Sequence, residues 1–192
     1  MKLIIFSKQR FFLILGVVLL FSFGPFLYFI FANSNKNEAI ISSVEKPMYL
    51  KIPSINVDAS IENVGLTSLG EMGVPKDPSR VSWFDLGPHP GENGSAVIAG
   101  HYGWKDNVPA VFDNLYKLKK GDKLYIEDKN GATSTFVVQG IKRYDPKADA
   151  SEIFNLDDKK SHLNLITCEG TWNKATQSYS SRLVVFTDKV EK

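Results

Sequence analysis

An uncharged apolar segment runs from Phe11 to Ala32, FFLILGVVLLFSFGPFLYFIFA, and it is long enough to cross a membrane. As a helix rising about 1.5 Å per residue it would extend about 33 Å, against a hydrocarbon core of about 30 Å. The apolar region of a cleaved signal peptide is shorter and ends in a small-x-small site, which Ile30 and Ala32 match poorly. The sequence therefore predicts an uncleaved transmembrane signal anchor over 11–32, with a cleaved signal peptide as the alternative.

The charges that flank this segment predict its orientation. Three basic residues precede it within the first ten positions, whereas one basic and one acidic residue follow it closely. By the positive-inside rule, residues 1–10 then lie in the cytoplasm and everything after the span lies outside the cell. The polar segment 33–46 is interpreted as a stalk. The sequence thus predicts a single-pass protein of the cell membrane with an extracellular domain over 47–192.

The charge balance argues against a nucleic-acid partner. The chain has 23 Lys and Arg against 21 Asp and Glu, and three of the basic residues lie before the apolar segment. The remainder has no long basic run of the kind that neutralises phosphates.

The single cysteine excludes an internal disulfide, so the extracellular domain must be stabilised by a hydrophobic core. Its length of about 146 residues is sufficient to form such a core.

Short apolar runs rich in β-branched and aromatic residues predict a mainly β fold. They are Met48–Ile52, Ala96–Ala99, Lys123–Ile126, Phe136–Val138, Leu163–Ile166 and Leu183–Phe186. Many short strands in a domain of this size favour a closed or nearly closed barrel over a parallel α/β sheet. The dipeptide Asn130-Gly131 predicts a hairpin turn between two of the runs. Apolar residues at helical spacing after Pro109 predict one short helix over 108–118.

The one cysteine, Cys168, follows an apolar run and precedes Gly170, so it is predicted to lie at the end of a strand. A single cysteine is more often a small buried hydrophobe than a nucleophile. Its placement at a strand end, between Thr167 and Glu169, favours the nucleophile. A thiol is mostly protonated at neutral pH, so a nucleophilic role requires a base or a cation nearby.

Three histidines are available as that base. His101 follows the run Ala96–Ala99 at another strand end and is the candidate base or general acid, with a structural, hydrogen-bonded histidine as the alternative. His89 lies between two prolines and is typical of a turn. His162 follows two lysines and is predicted to lie at the surface.

Acyl transfer also requires a group that stabilises a developing oxyanion. Arg182 begins the last apolar run, 14 residues after Cys168, a spacing that lets two antiparallel strands present both side chains at one end. From spacing alone, an arginine at the start of a strand is more often a solvated charge.

The sequence shows no metal-site pattern. Three scattered histidines and one cysteine lack the short spacings of a zinc site, and the acidic residues form no calcium-loop pattern.

Four segments together resemble the sortases, the membrane-anchored cysteine transpeptidases of mainly Gram-positive bacteria. They are LKIPSINVD at 50–58, PGENGS at 90–95 leading to Ala99-Gly100-His101, LITC at 165–168, and YSSRLVV at 179–185. The third resembles the family's Leu-x-Thr-Cys signature, and the fourth resembles the strand that carries its arginine. The matches follow the order His, Cys, Arg and extend from Leu50 to Thr187.

The resemblance implies a closed eight-stranded β-barrel with short helices and a ping-pong transpeptidation without a cofactor. The spacings given above predict that the protein binds no metal and is not activated by calcium. Cys168 would attack the Thr carbonyl of an LPxTG-like sorting signal on a secreted protein, and Arg182 would steady the oxyanion. His101 would protonate the leaving amine and then assist an incoming amine of a cell-wall precursor or a pilin. The resemblance also implies substrate contacts for Ala99, Ile153 and Thr167. The segments Tyr102-Gly103-Trp104 after His101 and Glu169-Gly170-Thr171-Trp172 after Cys168 look closest to class F or class D-like sortases.

In relatives, the loop before the cysteine strand helps to read the sorting signal, and here that loop is 142–160. Its apolar residues Ile153, Phe154 and Leu156 could line a groove or belong to the core, and the core is favoured. Wall-cutting peptidases and L,D-transpeptidases place their cysteine and histidine in other orders or spacings. The remaining alternative is a non-catalytic, membrane-anchored binding or pilus-scaffold domain in which Cys168 is merely buried.

Overall fold

The computed structural model describes residues 48–154 and 159–191 of the 192-residue chain. Within these ranges, no helix is long and apolar enough to cross a membrane. The predicted cytoplasmic segment, anchor and stalk lie outside the described residues, as does Leu156 of the predicted recognition loop.

The described residues contain eight strands that close into one barrel. In chain order they are β1 (Met48–Ile52), β2 (Val57–Val64), β3 (Val81–Phe84), β4 (Gly94–Gly100), β5 (Lys123–Glu127), β6 (Thr133–Tyr144), β7 (Ser161–Asn173) and β8 (Ser178–Lys189). Around the barrel the order is β1-β2-β3-β4-β7-β8-β6-β5, and β5 pairs again with β1. The pairs β2/β3 and β4/β7 are parallel and the others are antiparallel. The predicted closed, eight-stranded, mainly β fold is therefore confirmed.

Alternating side chains divide the apolar residues between the inside and the outside of the barrel. The main core fills the interior with residues of the strands, such as Leu50, Ile98 and Leu165, and is closed by Phe112 and Leu115 from the connection after β4. A second, smaller cluster lies on the outer face around Val97, Ile153 and Val184. Seven partly buried apolar residues pack against this second cluster: Met72, Phe84, Tyr144, Ala150, Phe154, Ile166 and Phe186. The second cluster supports the outer surface of β4, β7 and β8.

The predicted hairpin joins β5 to β6. Asp128 Oδ1 accepts hydrogen bonds from the N–H groups of Asn130 and Ala132, at 2.8 Å each, and Gly131 adopts φ +87°. Glycine suits this position because a left-handed backbone is strained for residues with a Cβ atom.

The prediction of a short helix over 108–118 is confirmed only for the last part of that range. Only a 3₁₀ turn, Leu115–Lys117, forms there. The N–H of Val111 donates to the carbonyl of Pro78 (2.8 Å) and that of Phe112 to the carbonyl of His101 (3.0 Å). These donors are bonded to distant strands and loops, so they cannot build a helical ladder.

Two further expectations are corrected by the strand pairing. His162 is only 5% exposed rather than at the surface, and its Nδ1 lies 2.8 Å from Asp188 Oδ1 on the neighbouring strand. Strand β7 does not end at Cys168 but continues to Asn173, paired with β8 as a ribbon beyond a register shift.

Candidate active site

The parallel pairing of β4 and β7 brings His101 and Cys168 to the same level. Ala99 and Ile166 are the last residues in register between these strands, and His101 and Cys168 each lie two positions further on. Residues two apart on a strand share a face, so both side chains belong to the outer face of the barrel. One strand pair thus makes these residues neighbours in space, although they are 67 positions apart in the sequence.

The antiparallel pairing of β7 and β8 adds Arg182, which is the direct partner of Cys168. On its other side Arg182 pairs with Tyr144 of β6. The order across the sheet is therefore Tyr144, Arg182, Cys168. The side-by-side placement of Cys168 and Arg182 expected from their spacing is confirmed, and the structure brings together all three candidate catalytic residues.

The ring of His101 is held from two directions. Its Nε2 lies 2.7 Å from the carbonyl oxygen of Pro75, and Trp104 packs against it edge to face with ring centroids 4.6 Å apart. Its carbonyl oxygen accepts the N–H of Phe112. Gly100, just before it, leaves room for the Phe112 ring, because a Cβ at position 100 would come within 2.4 Å of that ring.

The thiol of Cys168 is partly buried, and its ionisation depends on two opposing effects. Burial raises the pKa of Cys168, and the nearby positive charge of Arg182 lowers it less strongly. The resting thiol is therefore mainly protonated near neutral pH, and Arg182 is the group that favours its thiolate form.

The guanidinium of Arg182 is oriented by its own strand. Nη1 donates to the carbonyl oxygens of Ser181 (3.1 Å) and Tyr179 (3.4 Å), and Nη2 approaches Ser178 Oγ at 3.4 Å. Arg182 forms no ion pair with a carboxylate in 48–154 or 159–191. Arg143, by contrast, is bound to Glu169 through two hydrogen bonds of 2.6 and 3.0 Å. Arg182 is thus the better candidate for binding an anion beside Cys168.

A groove of about 330 Å³ runs over the outer face of β4 and β7 and reaches His101, Cys168 and Arg182. We call it the outer groove. Its other lining residues are Glu71, Met72, Gly73, Val74, Ala99, Gly100, Tyr144, Asp145, Pro146, Ala148, Ala150, Ile153, Phe154, Ile166 and Thr167. Most of these are apolar or backbone groups, so the groove suits an extended peptide with apolar side chains.

One wall of the outer groove is formed at the 3₁₀ turn Ser151–Ile153. Hydrogen bonds from β7 and β6 hold this turn in place. Asn164 donates from Nδ2 to the carbonyl of Ile153 at 2.6 Å. Glu152 accepts a hydrogen bond of 2.5 Å from Tyr144 and pairs with Lys142 at 3.0 Å. This turn belongs to the predicted recognition loop, and the first residues of that loop belong to β6.

The three residues predicted to contact substrate all border the outer groove, with little exposed surface. Ile153 is 1% exposed and Ala99 is 6% exposed, so both contribute mainly to the packing beneath the groove. Thr167 is 4% exposed, and its hydroxyl donates to the Gly100 carbonyl at 2.7 Å. The observed hydrogen bond of Thr167 holds β7 against the residue before His101.

A second hollow of about 630 Å³, the aromatic depression, opens on the other side of His101 and Cys168. Its other lining residues are Tyr102, Gly103, Trp104, Lys105, Trp172 and Tyr179. The ring of Tyr179 packs edge to face against both Tyr102 and Trp172. Burial and the nearby Cys168 raise the pKa of Tyr179, so it is a neutral phenol at physiological pH.

Sequence reasoning missed most of the aromatic depression and the residue that shapes it. Asp113 accepts hydrogen bonds from the N–H groups of Gly103 (2.7 Å) and Ala110 (2.9 Å), which folds the chain after His101 into a tight loop. Tyr102-Gly103-Trp104 follows His101 directly and Trp172 lies shortly after Cys168, and these two adjacencies are the sequence signals that could have revealed the depression.

Two observations concern other sites. A larger polar hollow, about 950 Å³, lies near the ends of β6 and β8 and contains none of the three candidate catalytic residues. Because acyl transfer needs a nucleophile and a proton carrier, the chemistry is assigned to the smaller hollows at Cys168. In the described part of the chain, no group of three or more His, Cys, Asp or Glu could hold a metal ion.

Comparison with protein-family models decides the family, because the sortase domain matches residues 50–190. The chain belongs to the sortase family. The matched range covers the whole described barrel from Leu50 onward and contains His101, Cys168 and Arg182. A search of curated proteins returns no match.

Solved sortase structures agree with this family assignment. Sortase C1 of Streptococcus agalactiae, in complex with MTSET, is 27% identical over 78% of this chain and 71% of its own, with a TM-score of 0.60. The pilus-related sortase C of Group B Streptococcus is 26% identical over 77% and 68%, with a TM-score of 0.59. Sortase A from Corynebacterium diphtheriae is 25% identical over 88% and 70%, with a TM-score of 0.58. This sortase is therefore a cysteine transpeptidase of the kind that attaches proteins to the cell surface.

Proposed function

We propose that this sortase cleaves an LPxTG-like sorting signal after Thr, forms a thioester on Cys168 and transfers the protein to an amine of the cell wall or of a pilin. The observation that carries the proposal is the position of Cys168 and His101 between two hollows, with Arg182 in register beside the sulfur. Acyl exchange needs a place for the acyl donor beside the sulfur and a path by which the acceptor amine reaches the thioester carbonyl carbon.

The outer groove receives the sorting signal in this proposal. Its apolar floor and walls match the Leu and Pro side chains of the signal, and Arg182 lies in it next to Cys168. A guanidinium there donates hydrogen bonds to the Thr carbonyl oxygen as its negative charge develops. The aromatic depression, which does not include Arg182, receives the incoming amine.

The reaction conserves the number of amide bonds. The Cys168 thiolate attacks the Thr carbonyl carbon, and the tetrahedral oxyanion collapses to a thioester as the Thr–Gly bond breaks. His101 donates a proton to the departing Gly amine and then accepts one from the incoming amine as that amine attacks the thioester. The thiolate leaves, a new amide bond is formed, and His101 is protonated again. Because burial raises the pKa of Cys168, the thiolate arises by proton transfer toward His101 rather than as the main resting form.

The predicted anchor places this chemistry at the outer face of the cell membrane. A catalytic domain held there meets secreted substrates and lipid-linked wall precursors at the same surface.

The aromatic depression suits the acceptor in this proposal. The aromatic rings of Trp104, Trp172 and Tyr179 supply flat apolar faces against which the aliphatic part of an acceptor amine can pack.

Intact-mass spectrometry tests the proposal. The full-length protein in detergent is mixed with an LPxTG peptide, and a mass increase equal to the fragment up to Thr is expected. Hydroxylamine should remove this adduct, and Cys168→Ala should never form it. A folded wild-type protein that gives neither adduct nor cleaved peptide with a panel of LPxTG-like peptides would contradict the proposal and favour a scaffold domain.

A further inference from the structure

His101 lacks a direct acidic partner in the described parts of the chain, although most catalytic histidines need a group that fixes their orientation. The hydrogen bond at its ring is the 2.7 Å contact between Nε2 and the Pro75 carbonyl oxygen. A carbonyl oxygen can only accept, so this contact requires a proton on Nε2. Nδ1 is then the ring nitrogen left to exchange a proton with Cys168 or an amine.

The carbonyl that holds His101 belongs to a peptide unit whose other end is bound by a carboxylate. The N–H of Lys76, in the same planar amide as the Pro75 carbonyl, donates to Glu62 Oε1 at 3.0 Å. Glu62 lies on β2, and its parallel pairing with Ser82 of β3 fixes its position. Pro75 is buried, and its ring restrains φ, so the orientation of this amide is restricted.

We propose that Glu62 is a positioning residue that acts on His101 through the Pro75–Lys76 peptide. A carboxylate that accepts the amide N–H increases the polarisation of the attached carbonyl, which becomes a stronger acceptor for Nε2–H. Glu62 thereby favours the Nε2–H tautomer of neutral His101 and stabilises the imidazolium formed during turnover. This inference rests on the proposed function in one respect, because it assumes that Nδ1 of His101 exchanges the proton.

Other charged and titratable groups lie around His101. The two hollows that contain His101 are also lined by Cys168, Arg182, Tyr102, Lys105, Tyr179, Glu71, Tyr144 and Asp145. None of them makes a hydrogen bond to its ring in the described residues. The contact with the Pro75 carbonyl therefore distinguishes the two ring nitrogens, and Glu62 binds the other end of that peptide unit.

Glu62 also has an ordinary structural partner, and this partner provides a control. Arg80 Nη1 lies 3.7 Å from Glu62 Oε2, and its side chain is 53% exposed. Arg80→Gln removes this ion pair and leaves both the carboxylate and its bond to Lys76 in place. Glu62→Gln keeps an oxygen acceptor for Lys76 but removes the charge, and Glu62→Ala removes both.

The first measurement is a long-range ¹H–¹⁵N spectrum of full-length protein in detergent, labelled with ¹⁵N-histidine and assigned by comparison with His101→Gln. Above the pH at which the imidazolium is lost, wild type and Arg80→Gln should show the proton of His101 on Nε2. In Glu62→Ala the Pro75–Lys76 amide loses its carboxylate partner, so the contact of Pro75 with Nε2–H should weaken and the fraction of the Nε2–H tautomer should fall. An Nδ1–H tautomer in wild type, or an unchanged Nε2–H signal in a folded Glu62→Ala, would overturn the inference.

Kinetics with an LPxTG peptide provide the second readout. We expect kcat to fall about ten- to a hundredfold in Glu62→Ala, by analogy with groups that orient metal-ligating histidines, and to fall less in Glu62→Gln, which keeps an oxygen acceptor for Lys76. Arg80→Gln should stay within about twofold of wild type, because rim charges contribute little. If Glu62 only braces the wall of the outer groove, KM will rise instead while kcat and the tautomer stay the same, which would refute the proposed role.

The two readouts separate this inference from the proposed function. If wild type forms no thioester, yet Glu62→Ala redistributes the tautomers and Arg80→Gln does not, the positioning role stands and the proposed substrate is wrong. If the thioester forms normally and the tautomer does not respond to position 62, the proposed function stands and the positioning role is wrong.

Discussion

Thr167 offers a direct test of how the barrel holds its site, because its hydroxyl spans the strand pair that carries His101 and Cys168. The side chain is 4% exposed and donates to the Gly100 carbonyl at 2.7 Å. Thr167→Val preserves the shape of the side chain and replaces the hydroxyl by a methyl group. The substitution removes one hydrogen bond and leaves a buried carbonyl without that donor.

The expected loss in free energy of unfolding is about 2 kcal/mol, since a buried hydrogen bond contributes about 1 kcal/mol and an orphaned acceptor costs about 1–3 kcal/mol. With a urea m-value of about 2 kcal/mol/M, the unfolding midpoint should fall by about 1 M. Activity should fall as well, in kcat rather than KM, because Gly100 directly precedes His101.

Thr167→Ser is the matched control. Serine keeps the hydroxyl and its hydrogen bond to Gly100, but it loses one buried methyl group, at a cost of about 1 kcal/mol. Its stability should therefore fall while kcat stays near that of wild type. Equal stability of Thr167→Val and wild type would refute the energetic argument. A rise in KM alone in Thr167→Val would instead support the role in substrate binding that the family resemblance implies.

Three further predictions concern the neighbouring residues. Arg182→Lys should lose most activity with little change in stability, because an ammonium cannot reproduce the guanidinium fork; near-normal turnover would exclude the proposed role of Arg182. Burial raises the pKa of Cys168, so its alkylation by iodoacetamide should accelerate as pH rises through the alkaline range, and Arg182→Gln should move this profile to higher pH. An unmoved profile would show that Arg182 does not act on the thiol. Gly103→Ala should impair transfer to the amine more than acylation, because Gly103 has φ +61° and a Cβ there would lie 2.6 Å from the Tyr179 hydroxyl. Transfer and acylation that fall equally would count against the aromatic depression as the acceptor site.

The elements predicted correctly are those whose signal is local. The apolar runs that became β1, β5 and β8 are alternating or β-branched, and the turn at Asn130-Gly131 has its own backbone preference. The neighbouring placement of Cys168 and Arg182 was also predictable. When a short turn joins two antiparallel strands, residues at similar distances before and after the turn lie side by side. Spacing indicates that the two residues are neighbours, but it does not reveal the register shift between Glu169 and Trp172 that makes them direct partners.

The elements predicted wrongly depend on partners far away in the sequence. Residues 108–118 have helical spacing, but Val111 and Phe112 donate to Pro78 and His101. His162 follows two lysines, and only the pairing of β7 with β8 reveals that it is buried against Asp188. The contact of His101 with Pro75 joins residues 26 positions apart. No local pattern encodes these hydrogen bonds, because each requires the closed barrel to exist first.

Two different parts of the fold build the site: the strand register positions the catalytic residues, and the connecting loops form the walls of the outer groove. A slip of one residue between β4 and β7 or between β7 and β8 would turn Cys168 to the barrel interior, and the filled core prevents such a slip. The walls of the outer groove are built by connections, chiefly Met72 in the link from β2 to β3 and Phe154 in the link from β6 to β7. These connections can change shape at far lower energetic cost than the strands. If the outer groove binds the sorting signal, as proposed, the choice of peptide and the reactivity of Cys168 are separable. Substitutions at Met72 or Phe154 can alter which peptide binds while the pH profile for alkylation of Cys168 stays that of wild type.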